Sequence, residues 1–373
     1  MSAAPTALIV GGGVAGMSAA IALRRIGYGV DLIDIDPDWR VYGAGITLTG
    51  PTLRAFQALG LLEAIAAQAY TGDGIDICAM DGTVVSRLPT PAPVGADVPG
   101  SGGILRPVLH RILSQAVLAA GCRVRLGLGV DALVQDGEMV RAVLTDGSQA
   151  RFRLVIGADG VFSKVRSLIF PDMPGPTYTG QLCWRLSAPR PPEVARRRYF
   201  LGGPVKVGLS PVSADQMYMF LLQSAPVKAR PEGVLHEELS GLLNGYGGPL
   251  RTIRESLGPA SGIIARPLES LLAPSPWFRG GVLLIGDAAH STTPQLASGA
   301  GLAVEDALVL AEALDQTGAP ETAFPAFMAR RYPRCRLVVE NSMEIGRREQ
   351  AGASAASQTE VVERALRALA EAI

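Results

Sequence analysis

The sequence predicts an α/β fold with a doubly wound parallel domain, a second, mostly antiparallel sheet domain, and helices toward the C-terminal end. Three observations carry this. Short apolar runs at 7–10, 154–156 and 282–285 each lead straight into a glycine-containing turn, as strands buried on both faces of a parallel sheet do. Between about 177 and 265 the chain turns to Pro, Gly and alternating segments such as 205–209 and 217–222, the signature of antiparallel strands with one covered face. From Glu321 onward the pattern is helical, with a polar, Ala-rich tail.

At 373 residues, two interlocked domains are the natural expectation. Thirty-four basic and 34 acidic side chains cancel, which gives no electrostatic case for a nucleic-acid or acidic-membrane partner. Cys78, Cys122, Cys183 and Cys335 lie far apart with no CxxC pair, against a zinc site or disulfide framework and in favour of a reducing compartment. The first residues carry no basic segment, and no apolar run is long enough to span a bilayer. The expectation is a soluble, cytoplasmic protein without stable membrane association.

In chain order, the strand at 7–10 is followed by Gly11-Gly12-Gly13-Val14-Ala15-Gly16 and an Ala-rich helix to about Ile26, with Gly27 as its stop. A second strand, at about 29–33, ends in Asp34 and completes a β-α-β unit. Residues 73–93 read as strands around the turn Asp81-Gly82 and then become Pro-rich. A helix is predicted over 105–120, a strand near 123–126, and a hairpin over 133–152 with turns at Asp136-Gly137 and Asp146-Gly147. The run 154–156 delivers Gly157-Ala158-Asp159-Gly160, and 282–285 delivers Gly286-Asp287-Ala288-Ala289-His290. A long helix is predicted from about Ser298 to Leu314.

Gly11, Gly13 and Gly16 form G-x-G-x-x-G between a strand and a helix. The first permits a tight turn, the second lets a pyrophosphate approach the backbone, and the third lets helix and strand pack closely. The helix start offers free N–H groups and a positive dipole end. Asp34, eighteen residues after Gly16, is placed to hold ribose hydroxyls. Taken alone, the segment from Gly157 to Arg166 reads as a turn in which Asp159 caps the next helix. In the third motif Asp287 can accept a sugar-alcohol hydroxyl, and the Ser298-Gly299-Ala300-Gly301 helix start aims N–H groups at an electron-rich group. His290 reads as a structural or solvent-facing residue, and no metal site is predicted.

These three motifs, in this order and spacing, resemble those of the class A flavoprotein monooxygenases, the para-hydroxybenzoate, salicylate and urate hydroxylases among them. The resemblance runs from Leu8 to about Leu314 and includes Arg106 in Leu105-Arg106-Pro107. It implies a Rossmann-type FAD-binding domain over 1–72, 99–174 and 267–373, and a substrate domain over 73–98 and 175–266. It further implies that Gly11, Gly13, Val14, Ala15 and Gly16 hold the FAD pyrophosphate and Asp34 the adenosine ribose. Val130 would lie near the adenine, and Arg106 would reach the FAD chain. Asp159 would sit beside the pyrophosphates of FAD and a transient nicotinamide nucleotide. Gly286 and Asp287 would hold the ribityl part, Pro294 would line the flavin face, and Gly299, Ala300 and Gly301 would face the pyrimidine end. Arg40 has two equal readings, a cofactor contact or a solvated surface charge. One departure is Leu296-Ala297-Ser298 in place of the Gly-Gln-Gly or Gly-Asn segment of many relatives, which removes a side-chain amide.

The implied chemistry is reduction of FAD by NADH or NADPH, addition of O2 to give a flavin C4a-hydroperoxide, and hydroxylation of a small electron-rich aromatic or heteroaromatic substrate. Lys206, Tyr218 and Arg185 are the candidate substrate contacts, a set suited to a planar anion. Alternatives are a flavin-dependent reductase of an isoprenoid-like substrate and a non-catalytic FAD-binding protein. A halogenase would need a Trp-x-Trp-x-x-Pro segment, and Trp39, Trp184 and Trp277 are nowhere two apart. Monomer and homodimer are equally compatible with the sequence.

Overall fold

The computed structural model describes residues 4–41, 43–90, 92–228 and 233–373; the first three residues of the N-terminal reading lie outside this range. The apolar run Thr6–Val10 forms the heart of a six-stranded sheet because Ala7 to Val10 are buried with no polar side chain to satisfy. Strand order is Phe278–Arg279, Val282–Leu284, Leu154–Gly157, Thr6–Val10, Gly29–Asp34, Arg123–Leu126. Pairing is parallel except at the Phe278–Arg279 edge. The three glycine turns therefore emerge at the C-terminal ends of three adjacent strands, where open α/β sheets place their ligands.

Helix Val14–Arg25 packs on helix Gly299–Thr317 through small and apolar side chains. The latter starts and ends within three residues of its sequence-based bounds, and the helix at 105–120 is found as Arg106–Ala119. The segment 133–152 is two hairpins rather than one. Val130–Asp136, Met139–Leu144 and Gln149–Phe152 form a three-stranded antiparallel sheet, because Gly137 and Gly147 both turn at positive φ.

A seven-stranded sheet runs Ile264–Ser270, Thr177–Pro189, Gln216–Ser224, Lys206–Pro211, Arg197–Phe200, Ile75–Cys78, Val84–Leu88. Only the Arg197–Phe200/Ile75–Cys78 pair is parallel. Alternation splits its residues between two faces. Trp184, Met217, Met219 and Leu221 pack into a core with the helices Leu235–Leu242 and Pro249–Ser256. Cys183, Arg185, Tyr218 and Phe220 point the other way, into a cavity between the two large sheets. Gly45–Thr49, Ser101–Leu105 and Tyr70–Gly72 make a small antiparallel sheet beside it.

Helix Pro320–Gln350 continues through Pro325 and Pro333, and Ala355–Ala370 follows. Arg54 ties down the end of the chain by donating to the carbonyls of Ala370 and Glu371 at 2.9 and 2.7 Å. No helix of the described residues is long and apolar enough to cross a membrane.

Candidate flavin site

The glycine turn is fixed by contact. A Cβ on Gly11 would lie 2.3 Å from the Ala158 carbonyl oxygen, and one on Gly16 1.9 Å from the Gly11 oxygen. A Cβ on Gly13 would meet nothing within 4 Å, so this backbone faces open space. The helix that follows has no side-chain N-cap and no acid in its first turn, which leaves its N–H groups directed at that space. Asp34 accepts from the Gly12 N–H at 2.6 Å and the Asp36 N–H at 2.8 Å. Trp39, at positive φ, donates its indole N–H to the Gly12 carbonyl at 2.9 Å. Val130 is buried two residues after Leu128, whose N–H reaches the Asp34 carbonyl at 2.9 Å. Arg40 pairs with Asp36 at 3.1 Å on the surface.

In the second motif Ser163, not Asp159, is the N-cap of helix Lys164–Ile169, accepting from the Arg166 N–H at 2.9 Å. Asp159 braces that cap by accepting from the Ser163 hydroxyl at 2.5 Å and the Val165 N–H at 2.9 Å. Arg166 donates to the Ala288 carbonyl at 2.9 Å and so joins the second motif to the third.

The third motif rests on a buried charge network. Gly286, at φ 58°, begins the single turn Asp287–His290. Asp306 accepts from the Gly286 N–H at 2.9 Å and from Arg331 Nε at 2.8 Å, and lies 2.6 Å from His290 Nε2. Glu305 accepts from Arg331 and Arg334, each at 2.8 Å. Burial opposes a charged His290, yet the adjoining Cys335 and Asp306 outweigh it and hold the imidazole well above its ordinary value. His290, Asp306 and Cys335 have metal-ligand spacing. The Arg331 guanidinium, however, contacts both Asp306 and Cys335, at 2.8 and 3.7 Å, and supplies the positive charge there.

A raised histidine pKa contributes stability that is fully present below the free-imidazole value and is lost as pH rises through the folded value. The apoprotein should therefore lose thermal stability on the alkaline side of neutrality, and His290→Gln should flatten that dependence. Superimposable pH profiles of the two proteins in a thermal melt would contradict it.

The cavity measures about 380 Å³. Gly13, Val14 and Ala15 form one wall, and Thr293, Pro294, Gly299 and Ala300 another. Helix Gly299–Thr317 also starts without a side-chain cap or an early acid, since the Ser298 hydroxyl turns back to the Leu296 carbonyl at 2.9 Å. Two free helix N-termini thus converge on one space. Asp287 opens onto it, and the surrounding protein raises its pKa against the pull of His290 and Arg106. Arg106 and Arg185 also line the cavity, and burial together with the repulsion of Arg185 lowers the Arg106 value.

Tyr218 reaches the cavity with its hydroxyl 2.7 Å from Thr47 Oγ1, and burial raises its pKa. Lys206 is not among the lining residues. Its ammonium is 2.7 Å from Glu349 and 5.2 Å from the ring centre of Tyr199, which does line the space. Gly301 packs on Thr52, where a Cβ would lie 2.3 Å from Oγ1. Gly11, Gly16, Gly286, Asp34, Arg40, Val130 and Asp159 do not line this cavity. Sequence reasoning missed Thr47, Cys183, Tyr199 and Phe220. Strand parity was the available signal for two of them, since Cys183 shares a face with Arg185, and Phe220 with Tyr218.

A family model described as FAD binding domain matches residues 4–342. The chain belongs to the FAD-binding domain family. The flavoprotein is 32% identical to the aurachin C monooxygenase/isomerase of Stigmatella aurantiaca, over 91% of this chain and 88% of that one. It is 30% identical to the 2-heptyl-3-hydroxy-4(1H)-quinolone synthase of Pseudomonas aeruginosa, over 92% and 89%. Among solved structures, the tetrameric 2-methyl-3-hydroxypyridine-5-carboxylic acid oxygenase aligns with a TM-score of 0.82 at 26% identity, over 98% of this chain and 97% of that one. The flavoprotein is an FAD-dependent oxidoreductase of the monooxygenase class, with NAD(P)H as reductant and O2 as co-substrate. Its residues fit the cofactor: the open Gly13 backbone, two uncapped helix ends and the cavity-facing Asp287 offer donors and an acceptor to a phosphate-, sugar- and ring-bearing ligand.

Proposed function

We propose that the flavoprotein hydroxylates a small, planar, electron-rich aromatic or heteroaromatic anion held between the two large sheets. The observation that supports this reading most is the convergence, in one cavity, of two free helix N-termini with Arg106, Arg185, Tyr218 and the aromatic side chains Tyr199 and Phe220. Residues 1–72, 99–174 and 267–373 form the FAD-binding part, and 73–98 with 175–266 the substrate part. Gly13, Val14 and Ala15 hold the pyrophosphate, with Gly11 and Gly16 giving the turn its shape. Asp34 holds the adenosine ribose near Val130, and Asp287 beside Gly286 holds the ribityl chain. Gly299 and Ala300 face the pyrimidine edge of the ring, where the helix dipole stabilises negative charge. Arg106 reaches the cofactor chain, and Pro294 covers the ring.

Bound FAD, once reduced by NADH or NADPH, supplies the electrons for inserting one atom of O2 into the substrate ring. The protein's share is binding, orientation and exclusion of water. Arg185 pairs with the substrate's negative charge. The chain Ser210–Thr47–Tyr218, with oxygen separations of 3.2 and 2.7 Å, holds a proton at the substrate oxygen. Burial keeps the Tyr218 phenol neutral and so able to donate. The product named for the quinolone relative and the substrate named for the pyridine relative make a heteroaromatic ring the first to try. The enzyme acts in the cytoplasm as a monomer or homodimer.

The deciding assay is NAD(P)H oxidation against phenols, aromatic acids, N-heteroaromatics and purines, with O2 uptake and H2O2 recorded. One compound should stimulate the rate with little peroxide released. If none does, although FAD is bound, a reductase or non-catalytic reading takes its place. Arg185→Met should raise that compound's KM by about tenfold or more, the loss of a charge-assisted hydrogen bond, with flavin content unchanged. Tyr218→Phe should lower coupling, and unchanged kinetics in both variants would remove the pair from the site.

A further inference from the structure

The cavity does not end at its own walls. It shares Tyr199 and Ala297 with a small inner chamber. That chamber in turn shares Thr90 and Gly100 with an open surface groove beside Asp73. The shared residues set the three spaces side by side, in order from the open groove to the wall formed by Tyr199. The chamber measures about 20 Å³, little more than one water, so a ring passes only when its walls, Tyr199 among them, move aside.

Arg197 lines this chamber and is 4% exposed. Its neighbours are engaged, Arg196 with Asp76 at 3.7 Å and Arg198 with the Glu193 carbonyl. Among the described residues the Arg197 side chain has no hydrogen-bond or ion-pair partner, and its Nε, like that of Arg198, is buried without an acceptor. Gln295, also lining the chamber, has a buried Oε1 without a donor. A guanidinium kept out of water without a counter-ion is costly, and buried polar groups left unmatched call for a ligand or a role.

We propose that the groove, the chamber and Tyr199 form the access passage to the cavity, and that Arg197 selects aromatic anions within it. The proposal rests on the monooxygenase reading above and adds the route and the charge of what travels it. Tyr199 is the gate. The Lys206 ammonium over its ring and the edge of Phe220, with ring centres 5.7 Å apart, hold it in the closed position. Arg197, between low-dielectric walls, concentrates anions at the gate. Asp73 at the mouth opposes them, although its Oδ1 is engaged by the Gly74 N–H at 2.8 Å and the Thr90 hydroxyl at 2.5 Å.

The test uses the FAD-loaded enzyme and two probes of nearly the same shape, benzoate and neutral benzamide, with association followed by stopped-flow perturbation of the flavin spectrum. Arg197→Gln should slow benzoate association by about tenfold or more, and leave benzamide and flavin content unchanged. Arg197→Lys should restore much of the rate, and rising salt should narrow the gap between wild type and Arg197→Gln. Asp73→Asn should move the benzoate rate the opposite way. Equal benzoate rates in wild type and Arg197→Gln would overturn the proposal, as would a flavin spectrum indifferent to benzoate. If Arg197→Gln loses its flavin, Val362→Trp fills the chamber from the C-terminal helix and should slow both probes, and unchanged rates there would also overturn it. Failure of the monooxygenase reading is separate: wild-type NAD(P)H oxidation would go unstimulated by every compound in the panel.

Discussion

Arg331→Met is expected to lower the stability of the apoprotein by about 3–5 kcal/mol, the usual effect of removing one partner from a buried ion pair. The guanidinium is fully buried and satisfies Glu305 and Asp306 together, each at 2.8 Å. Methionine fills much of the volume but leaves Asp306 with only His290 and the Gly286 N–H, and Glu305 with Arg334. Because Asp306 holds the turn at Gly286, the same change should also weaken FAD retention. Thermal melts of the apoprotein, followed by flavin titration of whatever remains folded, separate the two effects. A melting temperature within a degree or so of wild type would mean that the network is dispensable.

Asp287→Ala should give folded protein that purifies with little FAD. The residue begins the helical turn that follows strand Val282–Leu284 and opens onto the cavity, and it is the one acidic acceptor in the lining among the described residues. Its removal should leave the network behind it intact, since the Gly286 N–H is held by Asp306 and not by Asp287. The check is the ratio of flavin to protein absorbance, with circular dichroism as the control for folding. Full occupancy would remove Asp287 from the cofactor site.

The sequence-level reading succeeded where the physical constraint is local. Gly11 and Gly16 have no room for a Cβ, and the strand run, turn and helix around them are contiguous in sequence. The order of motifs was enough to place Asp287 and Gly299 at strand and helix ends. The substrate side was harder to read because long-range packing decides it. Lys206 does share a strand face with Ser210, opposite Tyr218. Glu349, 143 residues further along, claims its ammonium, and nothing near Lys206 announces that partner. Arg197 sits in a run of three arginines, and only the sheet decides which of them is turned inward. The hairpin at 133–152 was undercounted for a simpler reason: two Asp-Gly turns divide a stretch into three strands, and both turns were already in view.

The central position of Thr6–Val10 has a consequence for how the protein is made. Its neighbours in the sheet are Gly29–Asp34, which leaves the ribosome soon after it, and Leu154–Gly157, which in turn pairs with Val282–Leu284. The second helix N-terminus facing the cavity begins only at Gly299. A nascent chain can thus build the glycine turn early, but it has no complete pocket until most of translation is over. Until Leu154–Gly157 has emerged, the apolar edge of Thr6–Val10 that it later covers stays open to wrong pairing. Cofactor capture thereby becomes a late event, on a chain that has already built most of its fold.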